Sequence, residues 1–230
     1  MFDLGDELSR HAVLDSYAPQ GDDSIRAIMV TNSRGDTVDA TGSSRDLSHG
    51  ADRALLSLLR EGSEAVVVGA STIRSEPVPL PRTTPLVVLT SSGDLHNHQL
   101  FSRGAPQERL IVVSPKDNEE RLSETLVGLP WELLPTPSRA SLQAVVQGIR
   151  QCTGAGHLLI EGGRTVWEFF APLTTELLIS TVPPPRDAHE GVPPWWPEGG
   201  APFELESLLT DDAKMLYYRH VRSPAARPIL

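Results

Sequence analysis

Short apolar runs alternate with amphipathic stretches from residue 25 onward. Residues 25–31, 64–69, 85–90, 109–114 and 156–161 are nearly continuous apolar runs, rich in β-branched side chains and bounded by turn residues. That pattern suits strands covered on both faces of a sheet. Between them, residues 48–60 place Ala51, Leu55, Leu58 and Leu59 on one stripe, with Ser48 positioned to cap a helix. Residues 138–151 do the same with Leu142, Val145, Val146 and Ile149, and residues 163–171 form a third, shorter and more apolar stretch. Strand and helix patterns in alternation predict an α/β domain with a mainly parallel central sheet.

The tail breaks this rhythm. Residues 176–182 read as a strand, and residues 183–202 then carry seven prolines and the pair Trp195-Trp196, so a proline-rich loop is expected there. Residues 203–209 and 214–221 read as strands joined through Thr210-Asp211-Asp212, an antiparallel hairpin closing a mixed sheet. Residues 1–24 are polar and weakly periodic and are expected to form an arm. The division expected is therefore an arm at 1–24, one domain over 25–222, and a tail at 223–230.

Composition narrows the function classes. Of 230 residues, 39% are hydrophobic and 22% charged, which is ordinary for a folded domain. A net charge of −10 argues against non-specific binding to nucleic acid or an anionic membrane. No apolar run approaches the roughly 20 residues of a bilayer span. The first seven residues carry acid where a signal peptide carries base, so the expected compartment is the cytoplasm. The single Cys152 excludes an internal disulfide and a thiolate-only metal cluster.

Candidate chemistry gathers at three strand ends. Val66-Val67-Val68 runs into Gly69-Ala70-Ser71-Thr72-Ile73-Arg74, Val87-Val88-Leu89 into Thr90-Ser91-Ser92-Gly93, and Leu158-Leu159-Ile160 into Glu161-Gly162-Gly163-Arg164-Thr165. In open α/β sheets, ligands bind outside the carboxyl ends of the strands. Glycine and small hydroxylated residues there let backbone N–H groups approach an anion, and Thr72 with Arg74 adds a hydroxyl and a guanidinium suited to a phosphate ester. A Gly-Gly after a strand is by itself an ordinary turn; three such ends in succession point to a dinucleotide site.

Residues 66–76 followed by 158–166 resemble the reductase domain of bacterial riboflavin-biosynthesis deaminase–reductases, and most of all the stand-alone pyrimidine-reductase-like proteins of actinobacteria. The resemblance runs in order over about residues 25–182, and the closing hairpin fits it too. It implies a dihydrofolate reductase-like three-layer α/β/α sandwich, NADPH as cofactor, a homodimer, and hydride transfer to an aminopyrimidine or pterin-like carbon. Carried over by position, Gly69, Thr72 and Arg74 would hold phosphates of the adenosine half. Thr90 and Ser91 would meet the adenosine ribose and its 2′-phosphate. Gly162, Gly163, Arg164 and Thr165 would take the pyrophosphate, and Val30 and Thr31 would flank the nicotinamide. Glu161 would face the substrate as its binding group and the one acid near the reacting centre.

Two departures fall on the substrate side. After the first strand the family carries Ser-Leu/Ile-Asp-Gly, whereas this chain has Asn32-Ser33-Arg34-Gly35, which puts Asn32 and Arg34 beside the expected substrate. Within that strand Ile28 stands where relatives carry Lys or Asn. A site built for those polar contacts rejects a ligand that cannot use them, so a substrate other than the riboflavin intermediate is expected. The same departures suit a second hypothesis, a member that has lost catalysis and serves as a nucleotide-binding or structural partner. Weaker features are His96 and His98 in a polar loop, His49 near the cofactor mouth, and Trp195-Trp196 as a lid or a dimer contact. None of these makes a metal site.

Overall fold

The computed structural model describes residues 7–19, 21–32, 35–37, 44, 47–48, 50–181, 203–210 and 215–223, with side chains from residue 11 onward. Along the chain the elements begin α1 (Glu7–Ser16), β1 (Ser24–Thr31), α2 (Gly50–Glu61), β2 (Ala65–Gly69), α3 (Ala70–Ser75), β3 (Val78–Pro79), β4 (Leu86–Leu89) and β5 (Leu100–Phe101). They continue with β6 (Leu110–Ser114), a 3-10 turn (Lys116–Asn118), α4 (Glu119–Thr125), β7 (Trp131–Pro135), α5 (Leu142–Thr153) and β8 (His157–Glu161). α6 (Arg164–Phe170), β9 (Glu176–Thr181), β10 (Phe203–Thr210) and β11 (Leu216–Arg222) complete the set. The chain divides into two compact units, Ser63–Phe170 and a second made of Met1–Gly62 with Ala171–Leu230.

In Ser63–Phe170 the strand order is β8-β2-β4-β6-β7, every neighbouring pair parallel. All residues of β2 and β6 are buried, as expected of Ala-Val-Val-Val-Gly and Leu-Ile-Val-Val-Ser covered on both sides. Val66, Val68, Ile73, Leu86, Val88, Leu110, Val112 and Leu122 share one hydrocarbon core. α5 shows how local sequence ends a helix. The Ser141 hydroxyl accepts the Ala144 N–H at 3.2 Å, and Gly154, at φ 76°, closes the other end with its N–H on the Arg150 carbonyl. α6 packs on β8 and β2.

In the other unit the order is β10-β11-β9-β1, with β1 parallel to β9 and the C-terminal strands antiparallel. The α/β class with mostly parallel strands and an antiparallel C-terminal pair is thus borne out. Residues 1–24 hold an α-helix, α1, whose following carbonyls are bound by arginines. Arg219 donates to the carbonyls of Ser16 and Ala18, and Arg26 donates to that of Tyr17 at 2.5 Å. Both guanidiniums meet the fully buried Glu176, Arg219 at 3.0 Å and Arg26 at 3.4 Å. Burial pulls Arg26 below the usual guanidinium value, and Glu176 works against that pull.

Candidate functional site

β2, β4, β6 and β7 succeed one another outward in one direction, and β8 returns to the opposite flank of β2. The carboxyl ends of β2 and β8 therefore flank the topological switch point, where open α/β sheets form their ligand crevice. Gly69 ends β2 and opens α3, and Gly162 follows β8 just ahead of α6. The two glycines approach closely: a Cβ on Gly162 would stand 3.6 Å from the Gly69 nitrogen and 3.6 Å from the Thr72 hydroxyl. Gly162 also has φ 152°, a backbone region that side chains avoid. At Gly69 the requirement is steric, since a Cβ would lie 2.6 Å from Val166 Cγ2 on α6.

Gly163 is of another kind. A Cβ there meets nothing within 4 Å, and its carbonyl accepts from Val166 and Trp167 N–H groups to start α6. No packing requires a glycine at that position. Open space next to a glycine, at the rim of a switch point, is what the approach of a phosphate to the main chain needs. Glu161 is buried at the last position of β8, and Arg164 and Thr165 are exposed on the first turn of α6. The Arg164 guanidinium pairs with Glu168 at 2.5 Å along the helix.

One strand over, Thr90 follows β4. Its buried hydroxyl accepts the Gly93 N–H at 3.1 Å, and Gly93 turns the chain at φ 68° with Asn118 where a Cβ would be. Three side chains hold this loop by its carbonyls: Asn118 on Ser91 (3.2 Å), Arg121 on Ser92 (3.1 Å) and Arg74 on Asp94 (2.6 Å). Thr72, Arg74, Thr90, Ser91 and the glycines thus belong to one compact unit. Asn118 and Arg121 escaped the sequence reading because Lys116–Thr125 buries only Leu122 and shows no apolar stripe.

The remaining candidates lie at the carboxyl end of β1, in the other unit. The Thr31 hydroxyl is buried against that of Thr181 at 3.1 Å, and Val30 is half-buried beside it in sequence. Ile28 is buried. The Asn32 amide is occupied by a tight turn: Nδ2 donates to the Asp36 carboxylate at 2.8 Å, and Oδ1 accepts the Asp36 N–H at 2.9 Å. Asp36, which sequence reading passed over, is thereby an exposed carboxylate fixed one residue beyond Gly35. Arg34, His49, Trp195 and Trp196 lie outside the described residues. His98 is structural, with Nε2 on the Thr125 carbonyl at 2.9 Å and Nδ1 accepting the Leu100 N–H at 3.2 Å. Among the described residues no three His, Cys, Asp or Glu side chains gather as metal ligands would, and no helix is long and apolar enough to cross a membrane.

The model of one protein family, the RibD C-terminal domain, matches residues 35–172. Among solved structures, a pyrimidine reductase-like protein from Corynebacterium diphtheriae superposes with a TM-score of 0.68 at 22% identity, covering 91% of this chain and 97% of that one. A deaminase/5-amino-6-(5-phosphoribosylamino)uracil reductase from Thermotoga maritima gives 0.68 at 15% identity, with 94% of this chain spanning 62% of that longer one. The riboflavin biosynthesis reductase Rib7 of Saccharomyces cerevisiae gives 0.60 at 12%, over 91% and 97%. At such identities the likeness establishes the fold. None of the curated proteins matches the chain.

Proposed function

The chain belongs to the RibD C-terminal domain family, and from that premise we propose that it is an NADPH-dependent reductase of a small pyrimidine-like, pterin-like or imine-like substrate, with a substrate site diverged from the riboflavin-pathway enzyme. The observation that carries this reading is the meeting of Gly69, Gly162 and Thr72 at the β2/β8 switch point, with open space over Gly163. The residues suit a dinucleotide: a pyrophosphate needs main chain without obstructing Cβ atoms, and the main chain at Gly163 carries none and faces open space. The relatives named as pyrimidine and riboflavin reductases support the same chemistry. A cytoplasmic homodimer completes the proposal, as the family resemblance implies.

A reduced nicotinamide, when bound, supplies the hydride. The chain's own contribution is placement, since orienting two reactants is worth ~7–11 kcal/mol at best. Gly162, Gly163, Arg164 and Thr165 would hold the pyrophosphate, Gly69, Thr72 and Arg74 the phosphates of the adenosine half, and Val30 and Thr31 would border the nicotinamide. Glu161, buried at the end of β8, would hold the substrate and, from its protonated carboxyl, donate the proton that the atom beside the accepting carbon takes up. Asn32 and Arg34 would be the substrate-side residues, as the resemblance implies, and they fall where this chain's sequence departs from its relatives.

Titration with NADPH, followed by quenching of tryptophan emission, tests the reading with Gly163→Val as the critical variant. Because a side chain at 163 meets no protein atom, the variant should melt like the parent while binding is abolished. Unchanged affinity would displace the phosphate site from the β8–α6 turn. Oxidation of NADPH is then followed at 340 nm across pyrimidines, pterins and imines. Binding with no turnover on any of them would favour the non-catalytic, nucleotide-binding alternative, and Glu161→Gln should lower kcat while leaving cofactor affinity intact.

A further inference from the structure

We propose that His98 is a positioning residue for the dinucleotide cradle, holding α3 through Gln99 and releasing it when the imidazole takes up a proton; the proposal rests on the dinucleotide reading above. Gln99 is the staple. Its N–H donates to the Ile73 carbonyl at 2.6 Å, its side-chain Nε2 donates to the Arg74 carbonyl at 2.8 Å, and its own carbonyl accepts the Val78 N–H at 3.1 Å. α3 spans Ala70–Ser75, only six residues, and carries Thr72 and Arg74. A helix that short does not hold itself together in water, so its shape depends on the buried Ile73 and on Gln99.

Gln99 is fixed in turn by its neighbours. Asn97 turns the chain at φ 58°, the one positive φ outside glycine among the described residues, and the His98 ring then lies between two main-chain groups. Nε2 meets the Thr125 carbonyl at 2.9 Å, at the end of α4, and Nδ1 meets the Leu100 N–H at 3.2 Å. A carbonyl only accepts and an N–H only donates, so the ring is held as the neutral Nε2–H tautomer with its Nδ1 lone pair in use. A proton on Nδ1 sets N–H against N–H. The charged ring keeps the Thr125 carbonyl, a bond that charge strengthens, and gives up Leu100, the residue next to the staple.

The ionisable side chains on the surrounding elements are Asp94 and His96 on its own loop, Arg74 and Glu76 at the end of α3, Arg121 and Glu124 within a turn of Thr125 on α4, and Arg103 beyond β5. None of them is bonded to the ring, both of whose partners are main chain. No carboxylate therefore replaces the Leu100 bond once the ring is charged. Protons bind the released form better than the pinned one, so α3 is held at neutral pH and loosened as pH falls through the range where histidine gains its charge.

The test uses the full chain, as the parent and as His98→Asn, whose amide oxygen accepts the Leu100 N–H but takes no proton. NADP+, the acid-stable form, is titrated by calorimetry between about pH 7.5 and about pH 5.5, with thermal unfolding as the control for folding. The 2′-phosphate of the ligand also gains a proton in this range, equally for both proteins, so the difference between them reports His98. The parent should lose about fivefold more affinity on acidification than His98→Asn, the worth of one hydrogen bond. The same acid loss in both proteins would overturn the proposal. Hydrogen exchange without cofactor separates the pin from the dinucleotide reading. Protection of the Leu100 N–H, and of the Glu76 N–H that closes α3 on the Thr72 carbonyl, should fall with acid in the parent only. If it falls in this way and NADP+ binds at no pH, the dinucleotide reading goes and the hold of His98 on α3 stands. If protection is the same in both proteins at every pH, His98 does not hold α3, whatever the dinucleotide does.

Discussion

Inside Ser63–Phe170 the main core is hydrocarbon, with Val66, Ile73, Leu110 and Leu122 packed at 0% exposure, and the buried carboxylates Glu108 and Glu161 are not part of it. In the unit that holds α1 and the C-terminal strands, Arg26, Glu176, Arg219 and Arg222 are buried as well, each with polar partners. The first arrangement is non-directional and tolerates many sequences of the right volume. The second works only while every member is in place, because an unpaired buried charge costs far more than the pair contributes. The proposed dinucleotide cradle stands on the tolerant unit, where packing makes no demand on Gly163, while the other unit is held by a few irreplaceable side chains.

Breaking the charge network should have the largest effect. Glu176→Gln leaves two buried guanidiniums short of their shared carboxylate and should cost ~3–5 kcal/mol in chemical denaturation. A loss near zero would show that the network is decoration. Next comes an alkaline limb. Burial pushes the Tyr17 phenol up to about 12, against the pull of Arg219 and Arg26. The unfolded chain ionises near ~10, so this stability is whole below that pH and lost as pH climbs toward the folded value, by ~2–3 kcal/mol. Tyr17→Phe should flatten that limb in a pH series of melting curves.

Within the tolerant unit, Gly69→Ala and Gly163→Ala sharpen the contrast. The first drives a methyl to 2.6 Å from Val166 and should cost ~1–3 kcal/mol, while the second meets no atom and should leave the melting temperature in place. Smallest is Glu168→Gln. The exposed Arg164–Glu168 pair is worth less than ~0.5 kcal/mol, so stability should hold. Releasing Arg164 from its intrahelical acid should tighten NADPH by about twofold, read by titration.

The same contrast explains what the sequence disclosed. β2, β4, β6 and β8 announce themselves as apolar runs because they are covered on both faces, and α2 and α5 because their stripes are wide. β7 passed unread because Trp131–Pro135 is only partly buried and too short to show a period. The arm expected over residues 1–24 contains α1, whose own residues form no strong stripe; what fastens it is Arg219, far along the chain. At the site, Gly69, Gly162 and Gly163 were legible as strand-end glycines, but only coordinates distinguish the two with steric or conformational reasons from the one without. Asn32 was expected to face a substrate, and its amide is engaged by Asp36, a side-chain pairing that no local motif signals.

The clasp on α1 also bears on how the chain comes into being. Some 203 residues separate Ser16 from Arg219, and at about 5–20 residues per second a ribosome needs about 10–40 s to bridge them. Throughout that interval α1 has been made while the side chain that secures the carbonyls at its end has not been polymerised. This helix is therefore made long before it can be fastened, and a chaperone that engages nascent polypeptides meets it with those carbonyls still facing water.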